Sequence, residues 1–204
     1  MVHRMPEPSR VATRADVPTI ATTLSAAFVD DPVKQHLTGL AHVPPQRSVA
    51  FFDAFTRMQL RHDHVYVAGD GRVQGAALWS PPGHWKVSAG QIVRWSPRFL
   101  KMYGRRFLPN LKVLLALEGL HPTEPHYYLE FVGVHPQHQG KGLGRALIEP
   151  VVELADREGV GMYLENSKEK NLAFYGRHGF QVRAHTHLPG RNGPPAWLMW
   201  RDPK

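Results

Sequence analysis

Val132-Gly-Val-His-Pro-Gln-His-Gln-Gly-Lys-Gly-Leu-Gly-Arg145 is the most informative run in this chain of 204 residues. A strand-like apolar stretch ends there, and glycines at alternate positions (Gly140, Gly142 and Gly144) lead straight into a helical periodicity. Glycine has no Cβ to block close approach to the backbone. The first N–H groups of a helix have no partner inside it and carry the positive end of its dipole, which suits a phosphate or pyrophosphate. Lys141 and Arg145 add charge at the same place. Two better-known phosphate loops do not fit. A P-loop needs four residues between its first Gly and Gly-Lys, followed by Ser or Thr; here six residues separate Gly133 from Gly140, and Gly142 follows Lys141. The order Gly140-Lys-Gly142-Leu-Gly144 is also not the G-x-G-x-x-G of a dinucleotide fold.

The pattern downstream of this loop predicts a helix over 142–158, a strand over 160–165 and a short helix over 171–178. Two last strands are expected near 180–187 and 196–201, and a strand over 127–134 precedes the loop. Upstream, Asp16 reads as the N-cap of a helix carrying Ile20, Leu24 and Phe28, and a second helix is expected over 45–60. Strands over 64–68 and 73–79 flank the hairpin signal Gly69-Asp70-Gly71. Residues 86–118 are helical, basic and punctuated by Pro97, Gly104 and Pro109, and read as an insert over one end of the sheet. The expected architecture is a single domain over residues 1–204, a mixed α/β (α+β) sheet flanked by helices.

The composition, 42% hydrophobic and 21% charged, is that of a globular protein. With no cysteine, a disulfide scaffold, a Cys-ligated metal and a protein thiol nucleophile are all excluded. The net charge of +8 suggests an anionic ligand, with nucleic acid as the rival partner. No helix-turn-helix, zinc-finger or RNP-type pattern supports that rival. The start of the chain, Met1 to Arg10, carries prolines and charges where a signal peptide needs an apolar stretch, so a cytoplasmic location is expected. No apolar run approaches the length of a membrane span. The pairs His62/His64 and His185/His187 lack a further ligand set and read as surface residues, with no metal site expected.

Gln139-x-x-Gly142-x-Gly144 resembles the acetyl-CoA motif of GNAT N-acetyltransferases, and Asn171-Leu-Ala-Phe-Tyr175-Gly-Arg-His-Gly179-Phe180 resembles their downstream segment. Ala12 to Pro18, Leu164-Glu165 and Pro195-Ala-Trp-Leu-Met-Trp200 extend the likeness towards the puromycin N-acetyltransferase branch. The resemblance implies a GNAT fold whose two parallel central strands splay apart, with acetyl-CoA (coenzyme A) in the gap. Backbone groups around Val132, Gly133 and Val134 would meet its pantetheine arm, and one N–H there would hold a developing oxyanion. The amides of Gln139, Gly140, Lys141, Gly142, Leu143, Gly144 and Arg145 would meet the pyrophosphate, and Asn171 and Phe174 would complete the cofactor site.

Direct acetyl transfer must move a proton off the substrate ammonium and another onto the departing thiolate. The resemblance makes Tyr175 the acid; on composition alone it reads as a core tyrosine beside Phe174. Glu165, which the puromycin branch also carries, is favoured as base over Glu130, which sits two residues from Val132 and is expected on its face. Asn171 reads otherwise as a helix N-cap. Phe28, Asp30 and Asp31 are expected at the acceptor pocket, where an acidic pair suits a cationic amine, although either aspartate reads equally as a cap of the next helix. The stripe Arg94, Arg98, Lys101, Arg105, Arg106 and Lys112 reads as a solvated helical face or a seat for an anion. The expected substrate is a primary amine of a small molecule, such as an aminonucleoside of the puromycin type. Protein lysine and polyamine stand as alternatives, an acetyl-CoA sensor as another class. No membrane or nucleic-acid partner is expected, and a homodimer is left open.

Overall fold

The computed structural model describes residues 9–86, 88–190 and 192–204, without the Leu114 side chain; the reading of the chain's first eight residues lies outside it. One sheet of seven strands runs β1-β2-β3-β4-β5-β7-β6, built from Arg10–Val11, Val65–Ala68, Gly75–Ser80, His126–Val134, Gly161–Asn166, Gln181–His187 (β6) and Pro195–Arg201 (β7). Every neighbouring pair is antiparallel except β4 and β5, which run parallel. That pairing covers only His126–Tyr128 against Gly161–Tyr163; beyond Tyr128 the two strands separate.

Helices cover both faces. On one, α1 (Val17–Ala27) and α3 (Pro45–Gln59) pack with Val65, Val67, Ala76 and Leu78. On the other, α6 (Leu143–Glu158) and α7 (Leu172–Arg177) pack with Ala77, Trp79, Tyr127, Leu129 and Met162. Burial of both faces explains why β3 reads as a continuous apolar run rather than an alternation. The 86–118 segment forms α4 (Ala89–Tyr103) and α5 (Phe107–Glu118). It packs on α3 through Met102, and on α2 (Pro32–Thr38) and the β6–β7 hairpin through Val113, Leu188 and Ala196.

Two local features differ from expectation. Asp16 precedes α1 but gives it no side-chain cap; its carboxylate accepts from Thr13 and from both terminal nitrogens of Arg10, which hold it well below the usual carboxylate range. Asn171 likewise makes no capping bond to α7. In α6, Pro150 has no N–H for the Ala146 carbonyl, and the Ser9 hydroxyl donates to that oxygen at 2.6 Å instead. Arg201, 3% exposed, forms a two-pronged ion pair with Asp156 and donates to the His178 carbonyl, tying β7 to α6 and to the end of α7.

Candidate active site

The glycine loop ends on Gly142, at φ +81°, a left-handed conformation that side chains resist. Gly142 is the N-cap of α6 and supplies no side-chain cap, so the first N–H groups of the helix are left free. They border a cleft of about 1280 Å³ running from the end of α1 along β4, past the start of α6, to α7 and the end of β5. On one edge of β4, alternate N–H and C=O groups bond β3; the opposite edge loses its partner where β5 departs. A phosphate-bearing chain therefore meets free backbone groups at two places in one cleft.

Residues of the loop reach the cleft for different reasons. A Cβ on Gly133 would meet Ala27 at 2.8 Å, so this glycine admits α1 against β4. One on Gly144 would meet the Phe174 ring at 3.2 Å, so Gly144 sets the approach of α6 to α7. The Leu143 side chain is buried in the core and offers the cleft its backbone alone. Gln139 turns its amide back to the Val134 carbonyl at 3.1 Å, closing the loop. Arg145 pairs with Glu149 at 2.9 Å, while Gly140 and Lys141 are exposed. Asn171 and Phe174 line the cleft from its far wall, and Val132 and Val134 turn their side chains to the core.

Tyr175 is buried at the cleft's base, and its hydroxyl has no protein hydrogen bond among the described residues. Burial pushes the phenol well above its ordinary value, so it keeps its proton at neutral pH.

Glu130 is not on the face of Val132. Leu78 pairs with Phe131 and Trp79 with Leu129, so Glu130 is the extra residue of a β-bulge, which breaks the alternation between them. Leu129 and Val132 face α6, whereas Phe131 packs with the α1–α3 core and Glu130 accepts from Gln59 of α3 and from Ser80. The carboxyl lines the cleft and also a second pocket of about 220 Å³ between α3, α4, α5 and β4. That pocket is walled by Phe51, Phe55, Trp85, Phe99, Tyr103 and Phe107. Burial pushes the Glu130 carboxyl up to about 8, outweighing the Ser80 hydrogen bond.

Glu165 lies across the splay from β4, accepting the Tyr128 hydroxyl at 2.7 Å, with His121 Nε2 at 3.3 Å from its other oxygen. Sequence reading missed His121 and the aromatic walls. The helical character of residues 86–118 was visible, but not what it would face.

The expected acidic pair is engaged elsewhere. Asp31 caps α2 through the Lys34 N–H and accepts from Ser167, and Asp30 pairs with Lys168 at 2.5 Å. Both aspartates and Phe28 border the cleft rather than the aromatic pocket. Of the basic stripe, Arg106 donates to the His36 carbonyl, and Arg94 and Arg98 lie over the Trp95 ring. No group of three or more His, Cys, Asp or Glu among the described residues is placed to hold a metal, and no described helix is long and apolar enough to cross a membrane.

Residues 41–180 match the acetyltransferase (GNAT) family, and the chain is 31% identical over 202 residues to an uncharacterised N-acetyltransferase of Schizosaccharomyces pombe. That alignment covers 93% of this chain and 81% of the relative. The chain belongs to the GNAT family of acetyltransferases. Among solved GNAT structures, a Corynebacterium glutamicum protein described as histone acetyltransferase HPA2 and related acetyltransferase is similar at 26% identity and a TM-score of 0.68, with 98% of each chain covered. The Drosophila melanogaster polyamine N-acetyltransferase shares the fold at 19% identity and a TM-score of 0.65, over 95% of this chain and 98% of that one. GNAT acetyltransferases use acetyl-CoA, and the free amides at the start of α6 and the open edge of β4 fit its pyrophosphate and pantetheine.

Proposed function

We propose that this chain acts as one catalytic domain that transfers acetyl directly from acetyl-CoA to the primary amine of a small molecule with an apolar, aromatic body. The observation that carries the reading is Glu130, a carboxyl shared by the cofactor cleft and a pocket walled by aromatic rings. An amine whose ring occupies the pocket presents its nitrogen where the two spaces meet, at Glu130 and Phe131. Aminonucleosides of the puromycin type fall in this class. A polyamine fits less well, because beyond Glu118 and Glu130 the lining of the pocket is mainly apolar and aromatic and offers its further ammonium groups no counter-charge.

Acetyl-CoA supplies a thioester, an acyl donor with a thiolate leaving group. With no cysteine in the chain, no acyl-cysteine can intervene. Glu130, with its carboxyl held near 8, takes the proton that the ammonium must lose. Glu165 remains the rival base from the opposite strand. Backbone N–H groups on the open edge of β4 hold the negative charge that develops on the acetyl oxygen. Tyr175 gives its hydroxyl proton to the departing sulfur and recovers one from solvent. Raising its pKa by burial keeps that proton available at neutral pH.

A panel of amines assayed by release of free CoA thiol tests this reading. Arylalkylamines and puromycin should turn over with higher kcat/KM than spermidine or a lysine peptide. The reverse ranking would refute the aromatic acceptor, and no turnover of any amine would refute the transferase reading.

A further inference from the structure

Trp85, His121 and Tyr128, which line the aromatic pocket, also gather around Glu165. His126 Nδ1 lies 2.7 Å from the Glu124 carbonyl oxygen. A carbonyl only accepts, so that nitrogen carries a hydrogen. Burial pushes His126 down, leaving the ring neutral with a lone pair on Nε2. His121 Nδ1 sits 3.4 Å from that lone pair and must be the donor. The remaining nitrogen of His121, Nε2, then faces Glu165 Oε1 at 3.3 Å. Glu165 Oε1 is buried without a well-formed hydrogen bond, Oε2 accepts from Tyr128, and the Tyr163 hydroxyl, pushed up by burial and by Glu165, also lies against this carboxyl. A bare imidazole lone pair against a carboxylate oxygen is repulsive, and one proton between them turns the contact attractive. Trp85 lies flat on His121, centroids 3.8 Å apart at an interplanar angle of 9°, where an aromatic face favours a cationic ring.

We infer that His121 and Glu165 hold one proton between them, making His121 a positioning residue that cancels the charge of Glu165 beside Glu130. This rests on the reading of Glu130 as the group that takes the amine's proton. A charged Glu165 pushes the Glu130 carboxyl up, so cancelling that charge lets Glu130 ionise at lower pH. The groups around the pair are few. From β4 come Tyr128, Glu130 and His126, and from β5 comes Tyr163, its ring 4.8 Å from His121. The segment before β4 contributes the Glu124 carbonyl, and the β3–α4 loop contributes Trp85 with Lys86 Nζ 5.1 Å over its ring. Arg61 pulls Glu130 down, and Glu118 lines the same pocket. The pair therefore adds no net charge where the amine must arrive, although Glu165 is a carboxylate.

Two readouts test this. In the free protein labelled with 15N-histidine, His121 Nε2 should resonate at pH 7 as a protonated or proton-sharing nitrogen, and Glu165→Gln should return it to a bare one. A bare Nε2 in the native protein overturns the inference. In the pH dependence of kcat/KM, His121→Gln should move the acidic limb up by about one pH unit, because Gln cannot carry the extra proton. Adding Glu165→Gln should bring the limb back, since no charge then needs cancelling. A limb that His121→Gln leaves in place, or that the double variant leaves displaced, overturns it equally. If no amine turns over, the Glu130 reading fails while the nitrogen resonance still decides the shared proton. If His121→Gln does not fold, the resonance in native protein and in Glu165→Gln still decides.

Discussion

Replacing Glu130 with glutamine should make the stability of the protein less sensitive to pH. Below pH 4.5, the ordinary value for this carboxyl, the group is protonated in both folded and unfolded chains. Between there and about 8, the unfolded chain has released the proton and the folded one still holds it. Each unit of rising pH in that window costs the native state about 1.4 kcal/mol, and above it the loss is constant. The full window corresponds to about 5 kcal/mol. Glu130 is bordered by two pockets that admit water, and screening there reduces the expected loss to about 2–3 kcal/mol. Glutamine keeps a partner for Gln59 and Ser80 but does not titrate, so its pH-independent cost is about 1 kcal/mol. Urea unfolding of both proteins, followed by tryptophan fluorescence from pH 5 to 9, separates these contributions. The variant should gain on the native protein steadily from pH 5 to 8 and then level off. A difference that stays constant across the range would refute a raised Glu130 carboxyl, and with it the account of that group as a base poised near neutrality.

Tyr175→Phe should lower kcat by about 10²–10⁴-fold, the usual range for a lost general acid, while calorimetric affinity for acetyl-CoA changes little; a native rate would remove the hydroxyl from the mechanism. Gly142→Asp can adopt the positive φ, yet it sets a carboxylate among the free amides of α6, and acetyl-CoA affinity should fall about 100-fold or more. An unchanged dissociation constant would show that the pyrophosphate binds elsewhere.

The sequence made the fold legible wherever local chemistry fixes it. The glycine loop, the helix after it and the Asn171–Phe180 segment stand where periodicity put them, because turn residues and a helix start are local decisions. The insert was also visible, through Pro97, Gly104 and Pro109. Residues whose position depends on long-range register were not. Glu130 was assigned to the wrong face because a β-bulge is a property of two strands, and nothing in Leu129-Glu-Phe131 announces one. Asp30 looked available for a cationic substrate because its partner, Lys168, is 138 residues away. His121 lies in a proline-flanked segment with no motif, and it becomes informative only when the chain brings Glu165 to its ring.

Three residue pairs hold β4 to β5, and they are the whole hydrogen-bonded seam between a four-stranded half-sheet and a three-stranded one. The groups proposed for the chemistry divide between the halves: Glu130 belongs to one and Glu165 to the other, with α7 and Tyr175 following the second. A molecule lying in the opening of that seam is thus a structural member as well as a reactant, bracing walls that the backbone joins at one end only. Loading the cleft should therefore bring the proposed catalytic groups of the two halves into fixed register, and slow amide exchange along the inner edges of both strands at once.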